Sequence, residues 1–313
     1  MNKVSTRQGF GKGICALARE RQDIIVTAAD TYRSFNMGEF VNEFGERYFE
    51  FGIAEQNMMV ASAAIASEGK NVFTVGYSPF LSMRALEQIR TFVAYPKLNV
   101  TVVAGLSGLS GDTDGVTHQG TEDIPIVRSI PNITLICPAD AIAAEKFVKI
   151  AADIDGPVYF RIGRGATPIL YDEAQNFELG KAVYARNYGK DFTVIATGPC
   201  VYEAAIAADE LHEQGVSIRV LDMHTIKPID TRSILDAARE TGKILTVEDG
   251  SIYGGLGGAV SEVLAEHSMC GIKYFKRLGL TTFGTAGEVP DLLNFFGIDS
   301  ASIKKEILSQ VRL

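Results

Sequence analysis

Short runs of β-branched and other apolar residues alternate with longer, Ala-rich amphipathic stretches along most of this chain. A switch between a period of two and one of 3.6 predicts βα units feeding a parallel sheet. In the first part the pattern predicts strands over Asp23–Ala28, Asn71–Val75, Leu98–Ala104, Ile133–Cys137 and Val158–Arg161. Between them it predicts helices over Gly9–Arg21, Ala54–Ser67, Leu81–Tyr95, Thr121–Ser129 and Ala141–Ala152, the last with Asp140 at its N-cap. From Gly163 to Lys190 the rhythm breaks, and so long a stretch without a period reads as a linker. The alternation then resumes, with strands expected over Phe192–Ala196, Ser217–Leu221, Lys243–Val247 and Lys273–Leu278, and helices over Val201–Glu213, Arg232–Arg239, Gly257–His267 and Ala301–Val311. The expectation is an α/β protein of two open-sheet units, residues 1–165 and a smaller 191–313, joined by 166–190.

The length of 313 residues fits two domains at roughly 150 residues each, and 46% hydrophobic residues can supply a core to both. A net charge of −8 with no local basic cluster argues against nucleic acid and anionic lipid as partners. Cys15, Cys137, Cys200 and Cys270 are widely spaced, as buried thiols of a reducing compartment would be. The N-terminus has charges throughout and no apolar core of a signal peptide, and no run approaches the roughly 18 apolar residues of a membrane span. A cytoplasmic location is therefore expected, with no metal site among the four His.

Candidate chemistry collects where strands give way to helices. Glu55, in Gly52-Ile53-Ala54-Glu55-Gln56-Asn57-Met58, is the single acid at the head of an otherwise apolar helix. The helix dipole favours an acid there without any function; the alternative is a buried carboxyl that exchanges a proton with a ligand's ring nitrogen. Spacing leaves both open. Tyr77 and Phe80 follow a strand and stand three apart, as core residues or as a stacking wall for a flat heterocycle. Asp112-Thr113-Asp114-Gly115-Val116-Thr117-His118 lies beyond the Leu98–Ala104 strand, and Asp114 and His118 put an acceptor and a titratable donor at the sheet edge. Phe160-Arg161-Ile162-Gly163-Arg164-Gly165 ends the last strand of the first unit with two arginines, solvated or forming a fork for a phosphate. Gly254-Gly255-Leu256-Gly257-Gly258 lacks the full dinucleotide pattern and reads as close helix–sheet packing. There is no Walker A segment and no G-x-S-x-G elbow.

In this order GIAEQNM, GYSPFL, RALEQIR, DTDGVTHQG, IPNITLICPAD, FRIGRG, IKPID and TVEDGSIYGGLGGAVSEVL resemble the second half of transketolase and its thiamine-diphosphate relatives, including deoxyxylulose-phosphate synthase. The resemblance covers nearly the whole chain. It implies two doubly wound domains, one binding the pyrimidine of thiamine diphosphate and one of the transketolase C-terminal type. No GDG…N motif, which holds the diphosphate and its metal in that family, is present. The resemblance therefore implies the C-terminal subunit of a split transketolase. Its partner would be an N-terminal subunit carrying GDG…N and Mg2+ or Ca2+, in an α2β2 assembly acting on sugar phosphates.

Carried over by position, the resemblance makes Glu55 the catalytic glutamate on the aminopyrimidine ring nitrogen and Phe80, with Tyr77, the wall that stacks on it. Asp114 and His118 become contacts to the sugar, His118 also catalytic. Arg161 becomes a ligand of the substrate phosphate, with Arg7 and Ser34 as further phosphate contacts. Many members carry a His shortly before the Asp-Gly-x-Thr-His loop, and Gly105–Thr113 contains none. On the same scaffold the rival activities are a deoxyxylulose-phosphate-synthase-like enzyme and the β chain of a 2-oxo acid dehydrogenase; a non-catalytic regulatory subunit is the rival from another class.

Overall fold

The computed structural model describes residues 3–269 and 271–311. Its first sheet has seven strands, in the order Thr225–Lys227, Thr134–Ile136, Val158–Arg161, Val100–Gly105, Asn71–Tyr77, Ile24–Ala28 and Tyr48–Glu50. All neighbours are parallel except the edge pair formed by Thr225–Lys227. Helices cover both faces, which is why the central strands are buried throughout. Phe73 and Val75 pack with Phe10, Ile14 and Phe147 on one face, and Val72 and Val102 pack with Met58, Met59 and Ile89 on the other.

The second sheet runs Tyr274–Leu280, Lys243–Ser251, Phe192–Ala196, Ile218–Asp222 and Val183–Asn187, parallel but for the last. The mixed α/β architecture with parallel-rich sheets matches the expectation. Two details differ. The stretch expected as a structureless linker contributes the edge strand Val183–Asn187 to the second sheet, and Ala166–Pro168 pairs with Lys3–Ser5. Both pairings are long-range, so no local period announces them. The helix expected over Leu81–Tyr95 is a series of short turns, with wide π-helical stretches at Phe80–Arg84 and Ile89–Ala94 around Leu86–Gln88. Ser82 Oγ donates to the carbonyl of Ser78 at 2.7 Å in the first of them, a back-bond that competes with the regular ladder.

Cys15, Cys137 and Cys200 are buried free thiols, and Cys270 lies outside the described residues. Burial pushes the Cys15 thiol up to about 11. No helix among the described residues is long and apolar enough to cross a membrane. The glycine-rich turn after Lys243–Ser251 serves packing, as its incomplete motif suggested. Glu248 accepts the N–H groups of Leu256 and Gly257 at 2.7 and 2.9 Å, so a carboxylate of the chain itself fills that helix N-terminus. A Cβ on Gly255 would lie 2.0 Å from Glu248 Oε2.

The linker docks on the second sheet through a buried acid. Asp222 Oδ2 accepts the Tyr171 hydroxyl at 2.8 Å while Oδ1 has no partner among the described residues, and burial pushes the carboxyl up to about 8. It is protonated in the fold at neutral pH, whereas an unfolded Asp ionises near pH ~4. The folded state then holds the extra proton between these two values, so stability falls as pH rises through that window. Asp222→Asn keeps an acceptor for Tyr171 and cannot ionise. Its urea midpoint is expected to exceed wild type at pH 8 and to converge with it only below about pH 4, under the unfolded value; parallel curves for the two proteins would clear Asp222 of the effect.

Candidate active site

The carboxyl edge of the first sheet gathers four successive strand-to-helix crossings. After Tyr48–Glu50 the chain turns into the helix Glu55–Ser67, whose first residue is the acid. Glu55 is 3% exposed, and Arg84 Nη1 donates to its Oε2 at 2.8 Å. Oε1 accepts no hydrogen bond among the described residues. A helix dipole alone does not require its acid to be buried and paired with an arginine. The arrangement favours the proton-exchanging reading.

Arg84 also lies over the Phe80 ring, 4.6 Å from its centroid, a cation–π contact. Phe80 in turn stands 6.0 Å from Tyr77 and 5.4 Å from the His118 ring, and the Tyr77 and His118 rings are 5.9 Å apart. Tyr77 and Phe80 are both half-buried, so their ring surface is neither core nor fully solvated. The Tyr77 hydroxyl shares a 2.8 Å hydrogen bond with Ser34 Oγ. The Ser34 carbonyl accepts Arg7 Nη1, and Arg7 Nη2 donates to the Arg164 carbonyl at 3.1 Å. Arg164 pairs with Asp114 and lies 3.8 Å from Asp112. A single chain of contacts thus joins Glu55, Phe80, Tyr77, His118, Ser34, Arg7 and Asp114. Asp114 turns toward Arg164, and His118 Nδ1 shares a 3.0 Å bond with Thr117 Oγ1.

Arg161 does not join them. It is 3% exposed, with Nε on both oxygens of Asp123 at 3.1 and 3.0 Å and Nη1 on Asp249 at 2.7 Å. Burial alone would lower its pKa, but the flanking Asp123 and Asp249 carboxylates hold the guanidinium above its ordinary value. The expected phosphate ligand is therefore a buried strut between the two sheets, because Val158–Arg161 is an interior strand on which every residue is covered. The arginine at the edge is Arg164, three residues on and 38% exposed at its side chain. Its signal was in the sequence: it is the arginine of the pair that lies past Gly163, beyond the strand end. Arg84 was legible too, four residues after Phe80 on a stretch that reads as helical, where the two side chains share a face.

Arg7 and Arg164 place two cations side by side. Burial and the neighbouring Arg164 hold the Arg7 guanidinium below its ordinary value, and Arg7 Nε is buried without a partner among the described residues. Both features suit an anion that supplies the missing acceptor. Glu55 and Phe80, joined through Arg84, suit a planar heterocycle with a protonated ring nitrogen.

Comparison with known proteins gives this geometry a family. Residues 2–169 match the transketolase pyrimidine-binding domain, and residues 180–303 match the transketolase C-terminal domain. The chain belongs to the transketolase family. It is 41% identical to a putative transketolase C-terminal section of Methanocaldococcus jannaschii, across 98% of this chain and 96% of that one. It is 36% identical to an apulose-4-phosphate transketolase subunit of Phocaeicola vulgatus, with 99% of each covered. It superposes on a solved structure described as a split-gene transketolase, inactive beta4 tetramer, with a TM-score of 0.89 at 35% identity, covering 100% of this chain and 99% of that one. Over its length the chain corresponds to the C-terminal subunit of a split transketolase, a transferase subunit of a heteromeric enzyme. Its pyrimidine-binding domain implies thiamine diphosphate as cofactor.

Proposed function

We propose that this chain supplies the aminopyrimidine half of a thiamine-diphosphate site and the sugar-phosphate contacts of a transketolase moving a two-carbon ketol unit between sugar phosphates. The observation that carries the reading is the buried Glu55, with one oxygen tied to Arg84, whose guanidinium also lies over the Phe80 ring, and the other accepting no hydrogen bond among the described residues. Thiamine diphosphate, when bound, supplies the thiazolium carbon that stores the electron pair of the transferred unit. Glu55 bonds the pyrimidine ring nitrogen and exchanges a proton with it, and Phe80, flanked by Tyr77, covers the ring and excludes water. His118 and Asp114 hold the carbonyl and hydroxyls of the sugar. Arg7, with Ser34 and Arg164 beside it, receives the phosphate; Arg164 takes the role expected of Arg161.

The diphosphate and its divalent metal fall to a partner chain with a GDG…N motif, since this chain carries none; an α2β2 assembly is the proposed form. The exposed Ile53, Val60, Phe92 and Tyr95, on or flanking the helical segments Glu55–Ser67 and Ile89–Ala94, suit a large apolar interface with such a partner. The isolated chain, assayed with thiamine diphosphate, magnesium and a panel of ketose phosphates, is expected to show no turnover. Co-expression with the partner should restore it and yield a heteromer by native mass measurement. Robust turnover by the chain alone would sink the split-subunit reading.

A further inference from the structure

The segment between Leu106 and Thr121 carries Asp114 and His118, yet much of what holds it comes from the C-terminal domain. Its backbone is strained at two non-glycine positions, Leu106 at φ 55° and Asp112 at φ 40°, ψ −118°. Such conformations persist only where surrounding structure over-determines them. At Asp112 the carbonyl accepts Gly287 N and Gln119 Nε2, each at 3.4 Å, as well as Gly115 N at 3.2 Å. Gln119 is 2% exposed, and the same Nε2 donates to the Thr285 carbonyl at 2.8 Å. Gly284 lies so close that a Cβ on it would stand 2.0 Å from Gln119 Oε1. At the far end Ser251 N donates to the Thr121 carbonyl at 2.8 Å, and a Cβ on Gly108 would stand 1.9 Å from Asp249 Oδ2.

From these contacts we infer that the C-terminal domain positions the substrate loop, and that Gln119 is the positioning residue through which it acts. One amide nitrogen bridges the strained Asp112 carbonyl on the loop to the Thr285 carbonyl on the other domain. The geometry of Asp114 and His118 is therefore set in part by contacts from the other domain. The kinetic part of this inference rests on the substrate roles proposed above for Asp114 and His118; the mechanical part does not.

Gln119→Met keeps nearly the same length and removes the donor, and Gly284→Ala pushes on Gln119 from the opposite domain. In the full chain alone, deuterium exchange of peptides covering residues 107–118 is expected to quicken about tenfold or more in both variants. Peptides from the two sheets and the melting temperature should stay near wild type. In the complex with the partner chain, KM for a ketose phosphate should rise about tenfold, while exchange of the thiazolium proton, which depends on Glu55, should not change. Unaltered exchange of 107–118 in whichever variants fold overturns the positioning role. Faster exchange with unaltered KM leaves the brace standing and overturns the assignment of this loop to the substrate.

Discussion

Glu55→Gln is expected to leave the fold and the assembly intact and to slow exchange of the thiazolium proton for deuterium by about 10²–10⁴, the usual worth of a positioned acid–base group. The amide is nearly isosteric and its oxygen can still accept the Arg84 Nη1 hydrogen bond now made to Oε2, so the packing around the helix start has no reason to change. What it loses is the ability to take up and return a proton. The competing account assigns the acid to the helix dipole, in which case the change costs at most about 1 kcal/mol of stability and turnover survives. Measuring the exchange in the reconstituted complex before any sugar is added isolates this step from substrate binding. A variant that exchanges as fast as wild type would remove Glu55 from the mechanism.

The two arginines of FRIGRG should separate just as sharply, in different observables. Arg161→Ala strips the cation from between Asp123 and Asp249, both buried, and breaking such a pair costs about 3–5 kcal/mol. That is a large part of the roughly 5–15 kcal/mol that holds a typical protein folded. A marked fall in the urea midpoint, or loss of soluble protein, is the expected result. Arg164→Ala removes a half-exposed partner of Asp114, and pairs of that kind contribute only about 0–1 kcal/mol to stability. Its effect should fall on KM for phosphorylated donors, which should rise about tenfold or more, as befits a lost hydrogen bond to a charged group at about 1.5–3 kcal/mol. Unphosphorylated donors should be little affected. Equal losses for both classes of donor would return Arg164 to a purely structural role, and an Arg161→Ala protein of wild-type stability would refute the strut.

The sequence by itself determined the periodic elements, because period is a local property. The expected strands Asp23–Ala28, Asn71–Val75 and Phe192–Ala196 form, observed as Ile24–Ala28, Asn71–Tyr77 and Phe192–Ala196, and Asp140 caps its helix, accepting Ala143 N at 2.8 Å. Ordered motifs placed Glu55, Tyr77, Phe80, Asp114 and His118 at ends of strands or starts of helices, and a parallel sheet brings those ends to one edge whatever the loops do. Tertiary structure decided everything that depends on partners far apart in the chain. Asp140 does more than cap, since its other oxygen accepts Leu170 N and Tyr171 N at 2.7 and 2.9 Å and ties the linker down. The antiparallel pairing of Lys3–Ser5 with Ala166–Pro168 has no signature in either segment. Whether an arginine faces a ligand or two carboxylates is not written in its neighbours: Arg161 became a strut because Asp123 and Asp249 converge on it from two domains. Gln119 gained its place only when Thr285 and Gly284 came alongside. Hydrophobic period fixes which residues are buried, but the polar contacts of a buried or half-buried side chain are chosen by the chain that closes over it.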